Sequence, residues 1–232
     1  NAGGAGNITG FTLTSRNTLK PIPGSTRSLS GPATAPAQIE FNLEGDTLVV
    51  TEKATQIIDT YTIDEDGVAT GPVSHPSSGV TPFGFAFNKR GVLIVSEAFG
   101  GIANASAVSS YTLTNGVLTL RSGSVPDFQS AACWIVVTTN GKFAYTSNTG
   151  SNNISSYRVG RDGTLTLLAP VAASTGAAPI DMALNRNGKF LYVLNVIART
   201  IDAFRVDRRS GQLSFLASIS GLPAGANGLV AR

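Results

Sequence analysis

One motif recurs four times along this 232-residue chain: an apolar strand, a tight turn, a second apolar strand, and a third strand carrying Tyr or Phe. Keyed on that aromatic, the copies fall at Tyr61, Tyr111, Tyr157 and Phe204, after an earlier partial copy at Phe11. The intervals are 50, 50, 46 and 47 residues. A period of this size, filled only with strand-type pattern, is the signature of propeller blades, each of which buries its faces against its neighbours. The chain therefore reads as an all-β propeller of four-stranded antiparallel blades, about five of them represented.

Within each copy the strands follow from residue pattern. Strand a is Gln38-Ile-Glu-Phe-Asn42, Gly84-Phe-Ala-Phe-Asn88, Cys133-Trp-Ile-Val-Val137 and Asp181-Met-Ala-Leu-Asn185, with bulky side chains on alternate positions. Turns at Gly45, Gly91, Asn140-Gly141 and Asn187-Gly188 lead to strand b, which ends at Glu52, Glu97, Asn148 and Asn195. Strand c follows a variable loop, and a second Gly turn at Gly67, Gly116, Gly163 or Gly211 opens the outer strand d. One domain over 1–232 is expected, with a partial blade at 1–35, full blades at 36–81, 82–130, 131–178 and 179–225, and a further strand a begun at 226–232. Asn1 aligns with Asn148 and Asn195, so the chain is expected to open just after a strand b and to close inside a strand a, as the C-terminal part of a longer propeller.

The segment Tyr192-Val-Leu-Asn195 resembles the YVTN-type blade signature, and the blade pattern is similar to the lactonase-family β-propellers over essentially the whole chain. That family includes bacterial 6-phosphogluconolactonases and fungal carboxymuconate cyclases. The resemblance implies a seven-bladed parent and lactone hydrolysis or lactone formation without a cofactor. A cyclase-type site in that family uses His, Arg and Glu side chains, whereas the YVTN-type signature residues are structural.

Composition narrows the partners. Charged residues make up 13% of the chain and the net charge is +3, with the basic residues spread along the sequence and the aromatics at strand positions, which argues against nucleic acid. The longest apolar run is seven residues, Ala131–Val137, so nothing is expected to span a membrane. A single cysteine excludes an internal disulfide. Low charge with abundant Thr, Ser and Gly favours a periplasmic or secreted setting over the cytoplasm. Missing N-terminal blades or a second chain are expected to cover the open ends of the arc.

Function is sought where the repeat departs from itself. The start of strand a and the end of strand b reach the same rim, around the mouth of the central channel. Gln38, Gly84, Cys133, Asp181 and Asn227 read as equivalent positions, and Glu52, Glu97, Asn148 and Asn195 as a second set, with His75, Asp127 and Arg199 in loops nearby. Lactone hydrolysis needs a base and a cation or amide donors for the oxyanion. Glu52, Glu97 or His75 are candidate bases, with Lys53 or Arg199 as charge partner. Gln38, Lys53, Cys133, Asn148, Asp181, Asn195 and Asn227 are candidate contacts for a lactone or sugar-derived ligand. Glu52, Glu97, Asn148, Asp181 and Asn227 also offer oxygen ligands, but no spacing is diagnostic of a metal, and none is assigned. A non-catalytic binding or interaction propeller is the alternative. Cys133 reads as a structural thiol, and Phe85, Trp134 and Met182 as blade-to-blade packing in one shared register. Asp64-x-Asp66-Gly67 reads as a c-d turn, and Gly3-Gly4-Ala5-Gly6 lacks the strand and helix of a phosphate cradle.

Overall fold

The computed structural model describes residues 1–231. It opens with a c-d hairpin in two short ladders, β1 (Asn7–Ile8) with β4 (Arg27–Ser28), and β2 (Phe11–Leu13) with β3 (Leu19–Pro21). Four complete antiparallel sheets follow in the order a-b-c-d. The first is β5 (Pro36–Phe41), β6 (Thr47–Glu52), β7 (Ile57–Ile63) and β8 (Ala69–Pro76). The second is β9 (Pro82–Phe87), β10 (Val92–Glu97), β11 (Ala107–Thr114) and β12 (Val117–Pro126). The third is β13 (Ala132–Val137), β14 (Phe143–Asn148), β15 (Asn153–Val159) and β16 (Leu165–Ser174). The fourth is β17 (Pro179–Leu184), β18 (Phe190–Asn195), β19 (Thr200–Val206) and β20 (Leu213–Ser220).

The a-b turns form where the sequence places them because two devices agree. Gly45, Gly91, Gly141 and Gly188 all take positive φ, which costs a glycine little. In three of the turns the preceding Asn then caps the backbone: Asn42, Asn88 and Asn185 each accept two amide hydrogen bonds on their side-chain oxygen. The Asp64 turn is of the same kind, its carboxylate accepting from the amides of Asp66 and Val68.

The periodic tyrosine has a specific task. Tyr61 and Tyr157 donate their hydroxyls to the carbonyls of Ser28 and Val125, and Tyr111 accepts from the amide of Ser78. Each partner belongs to the outer strand of the preceding sheet or the residues just after it, so strand c bolts one blade to the last. Strand b is the most deeply buried element, with every residue of β6, β10 and β14 buried.

Two expectations are corrected. Strand pairing puts a bulge at the start of every strand a, between Pro36 and Ile39, Pro82 and Phe85, Ala132 and Ile135, and Pro179 and Asp181. Counting across it makes Gln38, Gly84, Trp134 and Asp181 equivalent, not Cys133, whose counterparts are Ala37, Phe83 and Ile180. Phe85 and Met182 accordingly share their register with Ile39 and Ile135, and Trp134 stands one position earlier. Residues 221–231 form no strand, although a strand a was expected from 226. A strand exists only when a neighbour takes up its amides and carbonyls, and among the described residues the only side-chain tie from this segment to the blades is the Leu229 amide on Asp181.

Candidate functional site at the channel mouth

Two repeated positions stand at the entry to strand a, and the first of them lines one cavity in all four blades. The first is the bulge residue of strand a, which is Ala37, Phe83, Cys133 and Ile180 in successive blades. The second is the residue after strand b, namely Lys53, Ala98, Thr149 and Val196, whose backbone N–H donates a hydrogen bond to the carbonyl of the residue before strand a: Ala35, Thr81, Ala131 or Ala178. Those four anchoring residues all have positive φ, between 49° and 59°, so a left-handed kink sets the entry to each strand a. Lys53 is the single charge in this second ring.

A cavity of about 630 Å³ opens here, lined by Pro36, Ala37, Lys53, Phe83, Cys133 and Trp134 on one side and Ile180, Asp181 and 227–229 on the other. The Lys53 ammonium sits 4.7 Å from the centre of the Phe83 ring, a cation–π contact. Burial pushes the Cys133 thiol up to about 11, with Asp181 adding to the rise and Thr149 and Lys53 opposing it. The thiol is therefore protonated at neutral pH and is a weak nucleophile. Asp181 accepts the amides of Met182 and Leu229, each at 2.7 Å. Burial still holds its carboxyl above the usual range, the two amides offsetting part of the shift.

The structure gathers Lys53, Cys133, Asp181 and Asn227 around one cavity and places the other sequence candidates elsewhere. Gln38 bridges to the next blade, its amide group exchanging two hydrogen bonds with the Phe85 backbone at 2.8 and 2.9 Å. Glu52, Glu97, Asn148 and Asn195 are all 0% exposed, inside the blades. Glu97 accepts from the Gly79 amide and the Ser109 and Ser124 hydroxyls. Asn148 donates to Asn153 and Ser155, and Asn195 to Thr200. Asp127 is likewise sealed, bonded to Gln129 and Ser155, and burial pushes it up to about 6. His75 is on the outer strand β8, not in a rim loop, with Nε2 3.1 Å from both Thr60 Oγ1 and the Gly116 carbonyl. Arg199 is exposed and occupies the positive-φ turn before strand c, where Gln56 and Asn152 stand in other blades. Phe83 and Trp134 were missed as cavity residues because a bulge is invisible in an alternating pattern.

Residues 106–226 match the lactonase family, described as a 7-bladed beta-propeller, and that span is more than half of the chain. The chain belongs to this family. Solved structures agree on the fold. A candidate 6-phosphogluconolactonase of Bacteroides fragilis superposes with a TM-score of 0.79 at 19% identity, covering 93% of this chain and 65% of that one. A Lactobacillus plantarum protein gives 0.79 at 20% identity, covering 94% and 66%. The periplasmic gluconolactonase of Pseudomonas aeruginosa gives 0.74 at 16% identity, covering 94% and 65%. The chain thus spans slightly less than two thirds of each of these relatives. No curated protein sequence matches it. No helix among the described residues is long and apolar enough to cross a membrane.

Proposed function

We propose that this lactonase-family chain handles a lactone at the channel mouth, by ring opening or the reverse closure. The observation that carries the reading is the convergence of Lys53 and Asp181 on one cavity whose other walls are Phe83, Trp134 and Ile180. A sugar-derived lactone has a ring face that suits such walls and a carbonyl oxygen that gains charge when water attacks. Lys53 is placed to stabilise that oxygen. Asp181, its basicity raised by burial, is the one carboxylate lining the cavity among the described residues and the group placed to take the proton from water. In hydrolysis the water oxygen bonds to the carbonyl carbon, the ring C–O bond breaks, and the proton passes to the departing alkoxide. The sealed positions of Glu52 and Glu97 move the proposed base away from them.

The test is turnover of a panel of sugar and muconate lactones by the purified protein, followed by acid release. Lys53→Met is expected to lower kcat/KM by about 10- to 100-fold, the range for one charged oxyanion partner. Asp181→Asn is expected to lower kcat further, with KM less affected. A protein that opens no lactone, yet still binds one, supports the alternative of a binding propeller. That second reading has its own support, since both Asp181 oxygens already hold backbone amides.

A further inference from the structure

The strand-b ends and the facing positions of strand c form one polar pocket per blade, and each blade stocks it differently. The strand-b residue is Glu52, Glu97, Asn148 or Asn195, and the strand-c residue two places from its start of pairing is Asp59, Ser109, Ser155 or Asp202. The second blade has one acid there, Glu97. The third has Asp127, reaching in from the loop before strand a to bond Ser155, and the fourth has Asp202, which takes the Gly176 amide and the Ser218 hydroxyl. Every blade thus uses an acid to hold the loop that leads into strand a. The first full blade alone carries acids at both positions.

Glu52 and Asp59 are each 0% exposed. Glu52 accepts from the Ser30 amide at 3.0 Å, from the Ser30 hydroxyl and from the Thr55 hydroxyl. Asp59 accepts from the Ser74 hydroxyl at 2.6 Å through one oxygen, and its other oxygen has no partner. Beyond each other, the groups acting on the two acids are hydroxyls and a backbone amide, with no cation among them. The basic groups of the packed elements point elsewhere. Arg27 on β4 bonds the carbonyls of Gly24 and Thr26, His75 on β8 bonds Thr60 and Gly116, and Lys53 lies over Phe83. Tyr61 on β7 is the titratable neighbour that faces the pair: it gives its hydroxyl to Ser28, and burial together with the charges of Asp59 and Glu52 holds its phenol above the usual range.

We propose that Glu52 and Asp59 share one proton at neutral pH, and that this proton is a latch holding the 29–35 loop and the Lys53 turn against the mouth. Two carboxylates sealed in one pocket without a cation cannot both ionise cheaply, whereas a carboxylic acid supplies a donor to its neighbour. The orphaned Asp59 oxygen is where such a proton completes the bonding. The electrostatics run the same way: burial opposes charge on both, the hydrogen bonds given to Glu52 hold it below the usual range, and burial together with Glu52 pushes Asp59 up to about 7. The latch is therefore closed on the acid side and opens as the pH rises through neutrality. Opening releases the Ser30 amide, and with it the loop that leads to Pro36 and Ala37. The shared proton is held whether or not the cavity turns over a lactone.

Carbon-13 NMR of the wild-type protein decides it, with each carboxyl carbon correlated to its own residue while the pH is raised from about 4 to about 9. The expected result is an Asp59 carboxyl carbon that titrates near pH 7, with the Ser30 amide shifting at the same midpoint. Asp59→Asn, which fixes the protonated form, is expected to abolish the Ser30 transition and to flatten the fall in thermal midpoint between about pH 5 and about pH 8. Glu52→Gln is expected to return Asp59 toward an ordinary carboxylate titration. The proposal is overturned if both carboxyls ionise below about pH 5, if Ser30 is silent, or if added Ca²⁺, Mg²⁺ or Na⁺ moves the pair's resonances, which would put a cation in the proton's place.

Discussion

Glu97 shows how much one side chain can carry in this fold. Its two oxygens take the Gly79 amide at 2.8 Å and the hydroxyls of Ser109 and Ser124, tying the loop before β9 to strands c and d of the same blade. Removing the carboxylate leaves buried donors with no acceptor, at a cost of about 1–3 kcal/mol per group and less than additive. Glu97→Ala is therefore expected to lower unfolding free energy by about 3 kcal/mol or more, read by urea titration at pH 7. The sign of its pH dependence is also fixed. Burial raises the Glu97 carboxyl above its ordinary 4.5, with the three donors offsetting part of the rise. The folded chain thus keeps a proton that the unfolded chain has released, so this contribution to stability is full at low pH and declines as pH climbs from 4.5 through the folded value.

Strands meet across blades through the backbone as much as through side chains. Thr51 Oγ1 lies 2.6 Å from the Phe83 carbonyl and Ser96 Oγ 2.7 Å from that of Cys133, so a strand-b hydroxyl reaches strand a of the next blade. Gly84 lets that contact close. A Cβ there would stand 2.7 Å from the Cys133 carbonyl oxygen and 3.0 Å from the Trp134 Cα, and the backbone of β13 cannot yield as a flexible side chain would. Gly84→Ala is expected to cost about 1–3 kcal/mol, seen as a lower thermal midpoint with the strand content of the folded protein unchanged. The repeat, the strands and the turns were legible in the sequence, since alternating apolar residues and Asn-Gly turns act locally. The site was legible only in part. Lys53, Cys133, Asp181 and Asn227 could be gathered at one mouth from their order along the chain. Gln38 looked like a ligand contact but is an inter-blade bridge, and Glu52 looked like a rim base but points into its own blade. Side-chain direction at a strand end depends on a bulge, and no residue in the bulge announces it.

At the scale of the molecule, apolar burial is uneven. Four clusters fill the spaces inside and between blades, each drawing on strands b and c. The two outermost faces are different. Phe11, Leu13, Leu19, Ile39 and Phe41 are about half exposed or more on one side, as are Phe215 and Ile219 on the other. Repeat arrays gain stability from the interface beside each unit, and apolar faces of this kind promote association. The isolated 232-residue chain is accordingly expected to self-associate at micromolar concentration and to bind a hydrophobic dye, as measured by sedimentation velocity and fluorescence. A stable monomer that leaves the dye dark would count against this assignment of the faces. One seam answers differently to a pull than to heat. Residues 221–231 are fastened to the blades chiefly where Leu222 meets the Arg199 carbonyl and Leu229 meets Asp181, rather than by a ladder of paired amides. Drawn from that end by an optical trap or an unfoldase, the chain should give way in two stages: a soft peel that strips the far wall from the mouth, then the stiff rupture of β17–β20.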